Sequence, residues 1–302
     1  MCSMKPIPRP LRTLALWACS LAVTLLPAPP GVQAADVIHV EPSAFSPIVV
    51  YEENGERCMT FGSVRAAGRQ TCVDIDAPSR MVFAYTRMMM SALFIEPAPA
   101  RVLIVGLGGG TLPRALAETL PDAAIDTVEI DPAVLNVARA QFGYATDERQ
   151  RVFIEDGRKY VQDAARRGER YDLVVLDAFD VNYIPPHLLT REFLEEVRGL
   201  LTPGGVLAAN TFTASRLYQQ ESATYAAVFG GFFNLRSNNR VILAVNGELP
   251  DDATLRANAE RLAPRLARYG VDIEAQLRMF SRAQDWPTGA RVLTDSAPIA
   301  QP

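Results

Sequence analysis

The sequence predicts an α/β fold in which a mostly parallel sheet is covered by helices on both faces. First, an apolar run at residues 102–105 stops at a glycine-rich turn, residues 106–110, and a helical pattern follows it. Second, apolar runs and helical patterns go on alternating as far as residue 229. Third, residues 171–176 are almost wholly apolar, as expected of a strand that is covered on both faces.

A small β-region precedes this alternation. Its strands are predicted at residues 48–52, 57–61 and 70–74. Asn54 and Gly55, between the first two strands, are a strong signal for a tight hairpin turn. A helix is predicted over residues 80–94, and its run of methionines, residues 88–90, is typical of core filling.

Five strands and five helices make up the alternating part. The strands are predicted at residues 101–105, 124–130, 151–155, 171–176 and 205–210. The helices are predicted at residues 112–120, 132–142, 157–167, 190–200 and 215–229. The run Thr202-Pro203-Gly204-Gly205 ends the fourth helix and turns the chain into the fifth strand.

The last two strands are predicted to form a hairpin. They cover residues 232–236 and 240–245, and Ser237-Asn238-Asn239 joins them. A parallel sheet that ends in an antiparallel hairpin is the arrangement of the class I AdoMet-dependent transferases. The predicted fold is therefore a Rossmann-like, seven-stranded sheet with a small N-terminal β-region, followed by a helical segment over residues 252–282.

The N-terminus has the pattern of a secretory signal peptide. Basic residues precede a 13-residue apolar segment, residues 14–26, and small residues lead to a predicted cleavage site after Ala34. The segment is shorter than the roughly 20 residues that cross a bilayer as a helix. We therefore expect a periplasmic or secreted protein; the alternative is an uncleaved N-terminus that anchors it to the membrane.

Four parts of the chain follow from these patterns. They are a signal peptide (1–34), the β-region (35–78), a nucleoside-binding transferase domain (79–250), and a C-terminal helical extension with a tail (251–302). The composition, 49% hydrophobic and 21% charged residues, is ordinary for a globular protein. A net charge of −4 argues against nucleic-acid binding.

Cys58 and Cys72 lie on two neighbouring predicted strands. In an oxidising compartment they would form a disulfide, and otherwise they would be buried thiols; both interpretations stay open. The sequence has only two histidines and no Cys/His cluster with the spacing of a zinc site, so no metal is predicted.

The glycine turn predicts a nucleoside ligand. Gly106, Gly108 and Gly110 would let a ligand lie against bare backbone. Glu129 follows 23 residues after Gly106, at the end of the next strand, where its carboxylate would accept hydrogen bonds from both ribose hydroxyls. The alternatives are a turn without a ligand and a solvated acid at a strand end.

Asp156 and Gly157 follow the third strand of the parallel part. The Asp156 carboxylate would accept a hydrogen bond from the exocyclic amine of adenine, and Gly157 would let the backbone approach closely. The alternative is that Asp156 caps the helix that begins there, a position that favours aspartate. The two roles are compatible.

Asp177 and Asp180 follow the fourth strand and face the same crevice as the glycine turn. Beside a cationic sulfonium and an amine nucleophile, one would take a proton from the attacking ammonium and the other would hold the amine. The alternative is a pair of strand-end or solvated loop acids. His187, beside Pro185 and Pro186, is interpreted as a loop residue rather than a base.

Residues 46–245 resemble the spermidine synthases, or polyamine aminopropyltransferases. The similar motifs are the glycine turn, Val128-Glu129-Ile130-Asp131, Glu155-Asp156-Gly157, Leu176-Asp177-Ala178-Phe179-Asp180 and Leu200-Leu201-Thr202-Pro203-Gly204-Gly205. The resemblance implies transfer of an aminopropyl group from decarboxylated AdoMet to an amine such as a polyamine, with release of methylthioadenosine. It also implies a homodimer.

The resemblance assigns roles to single residues. Glu129 would bind the ribose, and Asp156 with Gly157 the adenine. Asp177 would accept the proton, and Asp180 would hold the amine. Tyr85, which survives from the family's acceptor-binding stretch, would contact the substrate.

The sequence also departs from the family's pattern. Gly109 stands where the family's glycine turn has an aspartate for the amine-bearing tail of its ligands, and Ser46 replaces a glutamine that contacts the donor. Arg87, in the stretch 81–87, is expected to repel a cationic polyamine. The tail, residues 292–298, is similar to a C-terminal motif of membrane-associated and fused spermidine-synthase-like proteins.

Three functions are compatible with these residues. The first is aminopropyl transfer, which Asp177 and Asp180 favour. The second is methyl transfer from AdoMet, which the missing amine-side acids favour. The third is a non-catalytic nucleoside-binding protein, which export favours because AdoMet is not expected outside the cytoplasm. The terminal hairpin argues against an NAD-dependent oxidoreductase.

Overall fold

The computed structural model describes residues 35–64, 68–179 and 184–297, which belong to one compact unit. The predicted signal peptide, Asp180 and the last residue of the tail motif, Pro298, lie outside the described residues. No described helix combines the length and the apolar character that crossing a bilayer requires.

The N-terminal region is a four-stranded antiparallel sheet. Its strands are β1 (Asp36–Glu41), β2 (Ile48–Glu53), β3 (Glu56–Phe61) and β4 (Thr71–Asp74), in that spatial order. Asn54 and Gly55 both have positive φ, 53° and 78°, which is the backbone of the predicted tight turn. The strand β1 is not among the predicted strands, and it is a mostly exposed edge strand.

The two cysteines lie directly opposite each other on β3 and β4 and form a disulfide. The sequence left open whether these cysteines form a disulfide or are buried thiols, and the structure contains the disulfide. The next residues along the two strands, Met59 and Thr71, are also paired and both line the cavity described below.

The larger sheet has the seven strands that the sequence predicts. They are β5 (Arg101–Val105), β6 (Ala124–Glu129), β7 (Gln150–Ile154), β8 (Tyr171–Leu176), β9 (Leu201–Phe212), β10 (Phe232–Arg236) and β11 (Asn239–Val245). Their order is β10-β11-β9-β8-β5-β6-β7, in which β5 to β9 are parallel and the last two form the antiparallel hairpin. The Rossmann-like class I transferase arrangement is thereby confirmed.

Eight α-helices accompany the strands within the described ranges. They are α1 (Ala84–Met90), α2 (Thr111–Thr119), α3 (Pro132–Phe142), α4 (Gly157–Arg166), α5 (Arg191–Leu200), α6 (Tyr218–Phe229), α7 (Asp252–Leu266) and α8 (Ile273–Leu277). The predicted helix 80–94 begins only at Ala84, because Met81 pairs with Val73 of β4, and it ends in a 3₁₀ turn. The predicted segment 252–282 breaks at Gly270, which has a φ of 73°.

The core lies on both faces of the larger sheet. One layer joins the sheet to α1, α2 and α7, and the buried methionines of α1 fill it, as predicted. The other layer joins the sheet to α4, α5 and α6. With both faces covered, a ligand has access to the strands only from their ends, which directs attention to the carboxyl edge.

Candidate active site

A cavity of about 330 Å³ opens at the carboxyl ends of β5, β6, β7 and β8. This volume is within the range of small-molecule sites. The predicted residues that line it are Gly106, Gly108, Glu129, Asp156, Gly157, Asp177 and Tyr85. Residues of β3 and β4 close the opposite side, so the small N-terminal sheet forms one wall of the cavity.

Gly106 allows the ends of β5 and β8 to lie close together beside this site. Its φ is 103°, and a Cβ there would lie 2.4 Å from the carbonyl oxygen of Asp177. No side chain fits in that space, so only glycine lets the ends of β5 and β8 approach this closely. Gly106 thus has a packing role as well as a place on the cavity wall, and its predicted contact with a ligand stays a prediction.

Gly110 differs from the other two predicted glycines, since it does not line the cavity. A Cβ on Gly110 would lie 2.5 Å from the ring of Tyr144, and the residue has a φ of 76° at the start of α2. Its predicted ligand contact is replaced by a packing role: Gly110 makes room for an aromatic ring and a left-handed turn.

The wall beside Gly109 is closed and uncharged. A Cβ on Gly109 would lie 2.9 Å from Thr71 Cγ2 and 3.2 Å from Phe142 Cδ1. The aspartate found here in the resembled family has no room unless Thr71 moves. The tail of a donor at this wall would meet a threonine in place of a carboxylate.

Glu129 is held at the end of β6 by two backbone groups. Its Oε2 accepts a hydrogen bond from the N–H of Leu107 at 3.1 Å, and its Oε1 accepts one from the N–H of Asp131 at 3.0 Å. Burial raises the pKa of Glu129, while these hydrogen bonds act in the opposite direction. Each carboxylate oxygen has a second lone pair, so both remain able to accept a hydroxyl.

Asp156 caps α4, as one of its two interpretations predicts. Its Oδ1 accepts the backbone N–H of Lys159 at 2.9 Å, and its Oδ2 lies 2.9 Å from Nε2 of His187. Burial alone would raise the pKa of Asp156, but the hydrogen bonds from Lys159 and His187 outweigh it and lower the pKa. The side chain also lines the cavity, so the cap and a ligand contact are compatible.

Gly157 and His187 complete this end of the cavity. A Cβ on Gly157 would lie 2.5 Å from Val105 Cγ1, so the missing side chain lets α4 begin directly against β5. His187 lies in a single 3₁₀ turn, Pro186–Leu188, and lines the cavity. The sequence analysis treated it as a plain loop residue, because its pairing with Asp156 spans 31 positions and leaves no local pattern.

Asp177 is a half-buried acid that lines the cavity. Its Oδ1 accepts a hydrogen bond from Nδ2 of Asn210 at 3.0 Å, and the hydroxyl of Tyr85 donates a second one. Burial raises the pKa of Asp177 to about 7, although both hydrogen bonds lower it. A carboxylate with a pKa near neutrality is suited to accept a proton during a reaction.

Tyr85 and Asn210 hold this acid in place. Burial, and then the neighbouring charge of Asp177, raise the pKa of Tyr85 well above its usual value, so its hydroxyl remains a donor at neutral pH. Its ring lies 6.2 Å from that of Phe179, which in turn lies 5.6 Å from Phe212. Asn210 was missed in the sequence; the available signal is an amide directly after the apolar run 206–209 of β9.

Arg87 does not line the cavity. Its guanidinium donates hydrogen bonds to the backbone carbonyls of Met81 and Val82. Arg87 is therefore directed toward the backbone and away from the cavity wall, so the close-range repulsion expected between it and a cationic polyamine has no support in the geometry. Ser46, which replaces the family's glutamine, does line the cavity.

Among the described residues, one group of potential metal ligands comes together, Glu56 with Cys58 and Cys72. Both sulfur atoms belong to the disulfide, which takes away their thiolates as ligands. The site described above contains carboxylates, hydroxyls and amides around an apolar cavity. Its residues are suited to a nucleoside with a cationic reacting centre.

Comparisons with known proteins agree with this geometry. The model of the spermine/spermidine synthase domain matches residues 82–237. A polyamine aminopropyltransferase from Vibrio vulnificus (strain CMCP6) is 42% identical over 281 residues, which cover 91% of this chain and 94% of the relative.

Solved structures similar to this one include the following two. A probable spermidine synthase from Corynebacterium glutamicum ATCC 13032 superposes with a TM-score of 0.65 at 18% identity and covers 87% of this chain and 98% of its own. Human methyltransferase-like protein 13, in complex with SAH, superposes with a TM-score of 0.52 at 27% identity and covers 68% of this chain and 93% of its own. The first likeness supports the fold alone.

The pKa of Asp177 predicts a measurable dependence of stability on pH. The value rises from 3.8 in an unfolded chain to about 7 in the folded protein, so the folded state keeps its proton longer. The contribution of Asp177 to the free energy of unfolding should therefore fall by about 4 kcal/mol between pH 4 and pH 7. Asp177→Asn should remove that fall, as measured by urea denaturation at pH 4, 6 and 8.

Asp122→Asn, at an exposed position, is the matched control and should leave the wild-type pH dependence in place. The same loss of stability between pH 4 and pH 7 in Asp177→Asn as in the wild type would show that this carboxyl is already ionised at low pH.

Proposed function

The chain belongs to the spermine/spermidine synthase domain family of transferases, and we propose that it transfers an aminopropyl group from decarboxylated AdoMet to an amine. The observation that carries the proposal is the convergence of Glu129, Asp156 and Asp177 on one cavity. These three acids come from the ends of three different strands, and a nucleoside sulfonium is a ligand that requires all of them.

The donor would lie along the carboxyl edge of the sheet. Glu129 would accept hydrogen bonds from the ribose hydroxyls, because its two oxygens face the cavity while backbone groups fix its plane. Asp156 would accept a hydrogen bond from the exocyclic amine of adenine. Gly106 and Gly108 would let the sulfonium end of the donor lie against the backbone, which would place its sulfur close to Asp177.

Asp177 would act as the proton acceptor. The acceptor arrives as an ammonium and passes its proton to the Asp177 carboxylate, and the free nitrogen then attacks the carbon next to sulfur. The new C–N bond forms as the C–S bond breaks, and its electron pair goes to sulfur, which leaves as the neutral thioether of methylthioadenosine. A carboxylate with a pKa of about 7 can take that proton and return it to water at neutral pH.

Tyr85 and Asn210 would orient Asp177 toward the amine, because each donates a hydrogen bond to its carboxylate. Tyr85 lines the cavity and would also contact the acceptor. Asp180, which lies outside the described residues, is proposed to hold the amine, as the family resemblance implies. A polyamine is the acceptor class that we propose, and a homodimer stays a prediction.

Methyl transfer from AdoMet is the second candidate. The closed, uncharged wall at Gly109 and Thr71 favours it, since a lone ammonium at the donor's tail would find no carboxylate there. The likeness to human methyltransferase-like protein 13, whose structure contains SAH, points the same way. A non-catalytic nucleoside-binding protein is the third candidate.

We propose that the protein is exported to the periplasm or secreted. The N-terminal pattern supports export, and the Cys58–Cys72 disulfide supports an oxidising compartment. An uncleaved N-terminus would anchor the same domain to the membrane instead.

Cell fractionation with thiol alkylation tests this location. We expect the protein in the periplasmic or secreted fraction, shortened by 34 residues, with Cys58 and Cys72 protected from alkylation until a reductant is added. A soluble cytoplasmic protein with an intact N-terminus and two reactive thiols would contradict export. A full-length protein in the membrane fraction would identify the anchored form.

Ligand binding tests the nucleoside site. The mature protein should bind methylthioadenosine in titration calorimetry, and Glu129→Ala should weaken binding by at least about 1.5 kcal/mol, the scale of lost charge-assisted hydrogen bonds. Glu148→Ala, at an exposed position before β7, is the matched control and should bind like the wild type. Failure of the wild type to bind any adenosyl thioether would remove the basis of all three candidates.

Product analysis separates the candidates. Mass spectrometry of reactions with a polyamine panel should show an aminopropyl mass shift with decarboxylated AdoMet. The rate should fall as the pH is lowered below about 7, because Asp177 becomes protonated. Asp177→Asn should reduce the rate at least about a hundredfold. A methyl shift with AdoMet would instead establish the second candidate, and binding without either product the third.

A further inference from the structure

The C-terminal segment, residues 292–297, packs beside the adenine end of the cavity. Leu293 is fully buried; its N–H donates to the hydroxyl of Thr224 at 2.9 Å, and its carbonyl accepts the N–H of Arg191 at 2.8 Å. These contacts fix the segment against α5 and α6. Asp295, two residues further on, is thereby held at a defined position although its side chain is 42% exposed.

Asp295 is paired with Arg158 in a two-pronged ion pair. Nη1 and Nη2 of Arg158 lie 2.8 and 2.7 Å from the two carboxylate oxygens. Glu196 of α5 accepts two more bonds from the same guanidinium, each at 2.9 Å. The side chain of Arg158 is only 14% exposed, and the pairing lowers the pKa of Asp295. Such a geometry fixes direction as well as charge.

Arg158 connects this ion pair to the cavity. It is the second residue of α4, directly after Asp156 and Gly157, and its Nη1 also donates to the carbonyl of His187 at 3.3 Å. The imidazole of His187 in turn bonds the carboxylate of Asp156 at 2.9 Å. One guanidinium therefore ties the start of α4 to the turn that carries His187, and both structures line the cavity.

We propose that Asp295 is a positioning residue for the nucleoside site. By orienting Arg158 it fixes the carbonyl of His187, and through His187 it fixes the Asp156 carboxylate that reads the base. This inference rests on the proposed function, in which Asp156 accepts the amine of adenine. Asp295 itself does not line the cavity, so it acts through other residues, chiefly Arg158, and its charge also acts on His187.

The substituent at position 6 of the purine base gives a readout that is specific to this role. Asp156 attracts the 6-amino group of methylthioadenosine and repels the 6-oxo group of methylthioinosine, because both the oxo group and the carboxylate are acceptors. The ratio of the two affinities therefore reports where the carboxylate lies. General loosening of the protein would weaken both ligands alike and leave the ratio unchanged.

Titration calorimetry with both nucleosides tests the proposal on the mature protein. Asp295→Asn should reduce the preference for methylthioadenosine by at least fivefold, and Asp295→Glu should restore part of it. Arg158→Lys, which keeps the charge but not the two-pronged pairing, should reduce the preference equally. Asp252→Asn is the matched control, since it breaks a 2.7 Å pair with Arg282 in the same C-terminal region, away from the cavity.

Two results would overturn the proposal. One is an unchanged preference in both Asp295→Asn and Arg158→Lys. The other is an equal loss of affinity for both nucleosides together with a lower melting temperature. That result would leave the segment a purely structural role. A wild type that binds neither nucleoside would instead refute the proposed function itself.

Discussion

The close approach of β5 and β8 at Gly106 is the constraint on which the site depends. A Cβ at this position would lie 2.4 Å from the carbonyl oxygen of Asp177, so the strand ends meet only because no side chain is present. The approach places the glycine turn against Asp177. It also leaves the hydrogen-bonding groups of the turn at the mouth of the cavity, where Glu129 accepts the N–H of Leu107. The proposed donor pocket and the proposed proton acceptor thus depend on one backbone contact.

Burial of Asp177 is costly for folding and useful for chemistry. The apolar surroundings disfavour the ionised carboxylate and raise its pKa to about 7, whereas Tyr85 and Asn210 limit that rise by donating hydrogen bonds. The acid is therefore poised to change its charge near neutral pH. Perturbed acids of this kind cluster at functional sites, where stability is given up for reactivity. The same reasoning explains why an asparagine directly follows the apolar run 206–209 of β9.

The cavity agrees with the family resemblance at the proposed nucleoside end and departs from it at the proposed tail end. Its nucleoside end has the acids that the family resemblance implies, at Glu129 and Asp156. At the tail end, Thr71 and Phe142 fill the space that a side chain on Gly109 would need. Because Thr71 belongs to β4, the small N-terminal sheet decides the chemistry of that wall. Transferases that move different groups can share the first end and differ at the second, which is consistent with likeness to both aminopropyltransferases and a methyltransferase.

The sequence by itself determined the elements whose signals are local. The glycine turn, the seven strands, the terminal hairpin, and the placing of Glu129 and Asp177 at strand ends could all be read from short patterns, because apolar periodicity and turn residues act within a few positions. Only the tertiary structure decided the partners. Asn210 lies 33 positions from Asp177, and Asp295 lies 137 positions from Arg158. Hydrogen bonds over such separations depend on how strands and helices pack, and no spacing along the chain encodes that packing.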